Sequence, residues 1–333
     1  MQHTITQPSR RQALVTAAGL VATSLAFSQV QAQTPAYTDE TWQDPRRRRA
    51  VPVRIRRSQG TAPADGWPVV LYSHGLGGSR TGGEVWGRAW ADAGFLVMHV
   101  QHAGSDLDAV RSAVSSFRDK TALRTLSSAD QLSARLEDVV FVLDEIARRK
   151  TIDKAWRFVR ADAVGMAGHS FGAHTTLGVG GQSYPGHAGM REPRIAALVA
   201  FSPTLPARGD AAQAFAAITR PTLCITGTLD DDVVGNSATA DKRAGVFAAL
   251  PQGNKAMLLL KDADHMTFGG QTERARGILP REAVTTQLQP QHHALVARIT
   301  TDWWRAYLLG DADAKARLQK PQGLAALDTW QTG

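Results

Sequence analysis

The chain is 333 residues long, 43% apolar and 20% charged, so it can bury one large core and is no disordered or fibrous protein. Its net charge is +8, but four of the positive charges sit together at 46–49. Basic residues are not interleaved with aromatics over a face, which excludes a nucleic-acid partner. The single cysteine, Cys224, excludes an internal disulfide framework and, with no partner thiol, makes a poor zinc ligand.

Residues 1–32 read as a signal peptide of the twin-arginine type. Arg10 and Arg11 precede an uncharged stretch, 12–38. Its apolar part, 13–27, is diluted by Thr16, Gly19, Thr23 and Ser24, too short and too weak for a stable membrane span. Val30, Gln31 and Ala32 offer a small-residue cleavage site. An ordinary secretory signal is the alternative, and either route predicts a periplasmic or secreted protein. The remainder, 33–333, shows no repeat or linker and is expected to be a single domain.

In that remainder apolar strands alternate with helices. Residues 51–56 read as an amphipathic strand whose arginines form a solvated face rather than a binding patch. A short apolar run over 68–73 ends in His74, Gly75, Leu76, Gly77 and Gly78. A helix over 83–93 and a buried strand over 95–100 follow. Residues 104–128 are polar and Ser-rich, an excursion over the surface. Leu132, Leu136, Val139, Val140, Leu143 and Ile146 give 130–150 a helical period. Further strands fall at 163–168, 195–201, 222–227 and 256–260. A helix over 295–309 carries Trp303 and Trp304 at core positions. Continuous apolar strands between helices predict an α/β fold, a mainly parallel sheet covered on both faces. Ligands in such a sheet bind beyond the carboxyl ends of its strands.

The strongest chemical signal is Gly168-His169-Ser170-Phe171-Gly172, a G-x-S-x-G motif between a buried strand and a small-residue helix. A sharp strand-to-helix turn exposes the serine hydroxyl at the strand tip, over a helix N-terminus that favours developing negative charge. A serine is a weak nucleophile and needs a histidine base held by an acid. Downstream of the motif, His265 follows the last apolar strand and is the expected base. His187 has no strand behind it, and His292 and His293 read as surface or packing residues. For the acid, the strand over 222–227 runs into Asp230, Asp231 and Asp232. Asp230 is the choice on position, with Asp231 and Asp232 left open by the spacing. No histidine or further acid is spaced for these carboxylates to hold a metal. The oxyanion hole is expected from the backbone N–H groups of Phe171 and Leu76, in a loop whose glycines permit close approach. His74 and His102 read as hydrogen-bonded loop residues, and His169 and His174 as local packing. Asp153 and Asp162 read as turn residues.

The segment Ser-His-Gly-Leu-Gly-Gly-Ser-Arg over 73–80, with Gly-His-Ser-Phe-Gly-Ala over 168–173, resembles the serine α/β-hydrolases related to platelet-activating-factor acetylhydrolase. It is similar as well to bacterial proteins described as predicted dienelactone hydrolases. The blocks at 100–106, 227–231 and 264–268 fit the same resemblance, which runs from about Asp44 to Leu318. It implies an α/β-hydrolase fold and ester hydrolysis through an acyl-serine, with no cofactor. Two departures stand out. True dienelactone hydrolases use a cysteine where this chain has Ser170, and the acetylhydrolases place their acid after the strand that here ends in Phe201, where Ser202, Pro203 and Thr204 follow. The combined expectation is a serine carboxylic-ester hydrolase acting on a small-molecule or lipid ester. Short-acyl esters lead, and a lipid esterase, a polyester depolymerase or an acyltransferase of the same chemistry are alternatives. A non-catalytic binding protein is disfavoured because all three catalytic members are present.

Overall fold

The computed structural model describes Met1 and residues 37–57, 63–113, 119–185, 189–235, 237–271 and 281–333. The signal peptide read at 1–32, apart from Met1, the serine-rich 114–118 and His187 lie outside the described residues.

The apolar runs become strands buried on both faces. All seven residues of β3 (Trp67–Ser73) and all five of β4 (Leu96–Val100) are buried. With β5 (Val159–His169), β6 (Ile195–Phe201), β7 (Thr222–Leu229) and β8 (Lys255–Asp264) they form a parallel sheet in the order β4-β3-β5-β6-β7-β8. Antiparallel strands extend it at each end: β1 (Thr38–Asp44) and β2 (Arg49–Arg56) beside β4, and β9 (Thr329–Thr332) beside β8. The sheet has nine strands among the described residues and is the α/β-hydrolase fold that the resemblance implied. Chain order reverses around β3, which lies between β4 and β5, so a crevice opens beyond the carboxyl ends of β3 and β5.

Successive strand residues point to opposite faces and build two cores. Val69 and Leu71 meet Leu136, Val139 and Leu143 of α4 (Ala129–Ile152) in one. Val70 belongs to the other, with Trp86 and Trp90 of α1 (Glu84–Asp92) and Trp303 and Trp304 of α6 (Ala283–Leu308). The sequence reading of Trp303 and Trp304 as core residues holds: they are 1% and 0% exposed.

Several boundaries move. Helix α6 begins at Ala283 rather than near 295 and runs through Pro290, whose missing N–H leaves the Thr286 carbonyl without its helical partner. Asp162 lies within β5, not in a turn, because that strand starts four residues earlier than its apolar run. The polar stretch 104–128 contains two short helices, α2 (Leu107–Ala113) and α3 (Lys120–Leu126).

The solvated arginine face on β2 is overturned. Arg54 is 8% and Arg56 1% exposed. The polar edge strand β1, which the apolar pattern did not reveal, pairs with β2 and sets Asp39 opposite Arg54. Asp39 accepts two hydrogen bonds from that guanidinium, each 2.8 Å. Helix α1 brings Glu84 to 3.7 Å from Arg56. Distant acids, invisible in local periodicity, allow these charges to be buried.

Candidate active site

The turn from β5 into α5 (Phe171–Val179) sets Ser170 at φ 55°, ψ −115°, a conformation that side chains with a Cβ rarely adopt. Its flanking glycines are sterically required. A Cβ on Gly168 would lie 2.2 Å from the Gly172 carbonyl oxygen, and one on Gly172 2.0 Å from that of Ser73. The turn is therefore packed directly against the end of β3, and the Ser170 N–H is tied to the Phe201 carbonyl at 2.9 Å.

Asp230 and His265 come together from the ends of β7 and β8. Asp230 Oδ1 lies 2.7 Å from His265 Nδ1. The carboxylate is 0% exposed yet well supplied with donors. Ser202 and Thr226 donate their hydroxyls to Oδ2 at 2.6 and 2.8 Å, and Arg243 Nε lies 2.9 Å from Oδ1. Burial alone would raise the Asp230 pKa. The charges of His265 and Arg243, with the hydrogen bonds from His265 and Ser202, outweigh it and hold the carboxyl below its ordinary value. Asp231 and Asp232 serve the following turn instead: Asp231 accepts from the Ala240 N–H, and Asp232 from the N–H groups of Val234, Gly235 and Ser237. The ambiguity left by spacing is resolved in favour of Asp230 as the partner of His265.

The short 3₁₀ turn that carries His265 is braced from several sides. Asp264 accepts the Thr267 N–H at 2.9 Å and is gripped by Arg281 at 2.7 and 2.8 Å. His293 Nε2 donates to the Thr267 carbonyl at 2.9 Å, a packing role as the sequence suggested. His169 Nε2 donates to the His265 carbonyl at 2.9 Å. Burial holds His169 neutral, its pKa well below the usual histidine value, which leaves one ring proton for that bond.

Ser170, His169 and His265 line one cavity of about 620 Å³ together with Leu76. Leu107, Leu123, Val233, Val234 and Met266 give it apolar walls, so α2 and α3 form part of the pocket rather than a surface excursion. Around Leu76 the chain makes a tight turn: Gly78 N–H donates to the Gly75 carbonyl at 3.0 Å, with Gly77 at φ 71°. Among the described residues, neither the Leu76 N–H nor the Phe171 N–H has a protein acceptor. Among the same residues, no group of three or more His, Cys, Asp or Glu side chains is arranged to hold a metal, and no helix is long and apolar enough to cross a membrane.

A family model described as platelet-activating factor acetylhydrolase, isoform II, matches residues 49–133. The match is to a serine esterase family. It spans β2 to the first turns of α4, includes the loop at 74–78, and supports ester hydrolysis as the general chemistry of the chain. Ser170, Asp230 and His265 lie beyond it. A comparison with curated proteins returns no match.

The sequence named Ser170, Asp230, His265, Leu76 and Phe171 as candidates, of which Ser170, His265 and Leu76 line one cavity with Asp230 against His265, and it gave Ser202, Thr226, Arg243 and His169 no role at this site. Thr226 lies four residues before Asp230, so its place on the same strand end was a weak local signal. Ser202, Arg243 and His169 act across 28, 13 and 96 residues of sequence and carry no local signature.

Proposed function

We propose that this chain is an exported serine carboxylic-ester hydrolase that cleaves small or short-acyl esters through an acyl-Ser170 intermediate. The observation that carries the reading is the 2.7 Å Asp230–His265 contact at a cavity whose wall also holds Ser170, partly buried, in a strained turn.

Asp230, kept anionic, accepts the Nδ1 proton of His265 and leaves Nε2 as the basic nitrogen. His265 takes the Ser170 proton as the serine oxygen attacks the ester carbonyl. The carbonyl oxygen becomes an oxyanion, met by the free N–H groups of Leu76 and Phe171. His265 returns the proton to the leaving alkoxide, the alcohol departs, and an acyl-serine remains. Water, deprotonated by the same imidazole, repeats the addition and releases the acid. The apolar walls suit a modest acyl chain, and a cavity of about 620 Å³ falls in the size range of small-molecule sites. Export, to the periplasm or beyond, rests on the leader read at 1–32, and one catalytic domain over 33–333 is part of the same reading.

Hydrolysis of p-nitrophenyl esters from acetate to palmitate, wild type beside Ser170→Ala, tests the proposal. Wild type is expected to prefer the short esters and the variant to fall to near background. Equal turnover by both proteins overturns it. Added alcohol separates the acyltransferase alternative, which would yield a transesterified product in place of the free acid.

A further inference from the structure

Beneath the loop that carries Leu76 lies a buried polar network that the reaction above leaves unused. Ser73, His102, Arg135 and Asp138 are each 0% exposed. Asp138 Oδ2 is 3.0 Å from His102 Nδ1, and His102 Nε2 is 2.9 Å from Ser73 Oγ. The connectivity repeats that of the catalytic set, but sealed in the core it meets no substrate. Arg49 binds both oxygens of Asp138, at 2.8 and 3.0 Å, which keeps that carboxylate anionic. The anion accepts the hydrogen bond of His102 Nδ1–H, so His102 Nε2 accepts from the Ser73 hydroxyl. The Ser73 oxygen then offers its lone pairs to Arg135, whose Nη1 lies 3.5 Å away.

Arg135 reaches both arms of the oxyanion hole. Its Nη1 donates to the His74 carbonyl at 2.7 Å, and its guanidinium stacks 4.2 Å from the ring centre of Phe171. Its Nε donates to Ser105 Oγ at 2.8 Å, while the Ser105 carbonyl accepts the Gly77 N–H at 3.0 Å. The polar groups flanking Leu76 are occupied as well. His74 Nε2 accepts the His102 N–H at 3.0 Å, and His74 Nδ1 donates to the Gly75 carbonyl at 2.6 Å. These bonds fix the loop while the Leu76 N–H is left free. The direct partners of Arg135 are all neutral, and the negative charge that offsets its burial comes from nearby Asp138 and Asp106.

We propose that Arg135, held by the Asp138–His102–Ser73 chain, is a positioning residue that aims the Leu76 and Phe171 N–H groups at one developing oxyanion. The proposal rests on the Ser170 esterase reading and adds a residue to it from a distant helix. It separates catalysis from binding: the substrate ground state has little charge on its carbonyl oxygen, so misaligned donors cost kcat and spare KM.

The test compares wild type with Arg135→Gln and Arg135→Lys, using the best p-nitrophenyl ester for kinetics and phenylboronic acid as a tetrahedral probe. The probe bonds Ser170 Oγ to boron, passes the serine proton to His265 and sets a boronate oxygen in the oxyanion position. Arg135→Gln is expected to lower kcat by about 10- to 100-fold with KM within about twofold, and to weaken phenylboronic acid in proportion to kcat. Arg135→Lys, with the charge but not the fork, falls between the two. A folded Arg135→Gln with wild-type kcat and boronate affinity overturns the proposal, as does a loss confined to KM. Should Arg135→Gln fail to fold, Ser105→Ala decides by the same split, with an expected loss of about 3- to 10-fold in kcat and in boronate affinity. Activity that survives Ser170→Ala would instead overturn the esterase reading itself.

Discussion

Asp230 shows how one carboxylate among three adjacent ones acquires a distinct task. Its side chain is fully buried and receives Ser202, Thr226, Arg243 and His265, whereas Asp231 and Asp232 turn back to cap their own loop. Ser202 follows β6 at φ 54°, and its hydroxyl reaches across to Asp230 just beyond β7, so the tip of β6 supplies a hydrogen-bond donor to this carboxylate. Replacing Asp230 by Asn should remove the acceptor that fixes the His265 tautomer and lower kcat by about 10⁴. Asp231→Asn, outside this cluster, should leave kcat within about twofold. Steady-state kinetics of the two variants check the assignment, and a larger loss in Asp231→Asn would reverse it.

At the scale of elements, what was legible in the sequence is what local chemistry specifies. β3, β4, β6 and β7 are runs of apolar residues buried on both faces, and α4 repeats Leu132, Leu136, Val139 and Leu143 along one side. The β5–α5 turn was readable because its glycines have a steric reason to be there. β1 and β9 escaped because edge strands need little apolar alternation, and each is largely exposed. Helix α4 illustrates the same limit inside one element. Its apolar period announced a helix, but not that Arg135 and Asp138 of the same helix are buried beneath the Leu76 loop. Their partners, His74, Ser105, His102 and Arg49, lie 30 to 89 residues away, so composition offered no cue.

For the molecule as a whole, burying so many neutral histidines makes stability depend on pH. Burial, with Arg56 next in weight, lowers the His99 pKa to about 3. Burial also lowers that of His102 to about 4, against support from Asp138. An unfolded chain protonates the same rings near 6.5. These are depressed folded-state values, so the stability they contribute is complete above pH about 6.5 and is lost as pH falls towards 4. Near pH 5 the two groups together give a slope of roughly 3 kcal/mol per pH unit. Urea unfolding at pH 7.5, 6 and 5 should therefore show stability already reduced at pH 6 and falling more steeply towards pH 5. Unchanged stability down to pH 5 would mean that these rings protonate in the folded protein.

The proposed reaction requires that Ser170 carry the acyl group. Rapid quenching of the enzyme with a slowly deacylated p-nitrophenyl ester, followed by intact mass and peptide mapping, tests it most directly. A mass gain of one acyl group is expected on the peptide that contains Ser170, appearing with the p-nitrophenolate burst and absent from Ser170→Ala. An acyl group mapped to any other residue, or its formation at the same rate in Ser170→Ala, would contradict it.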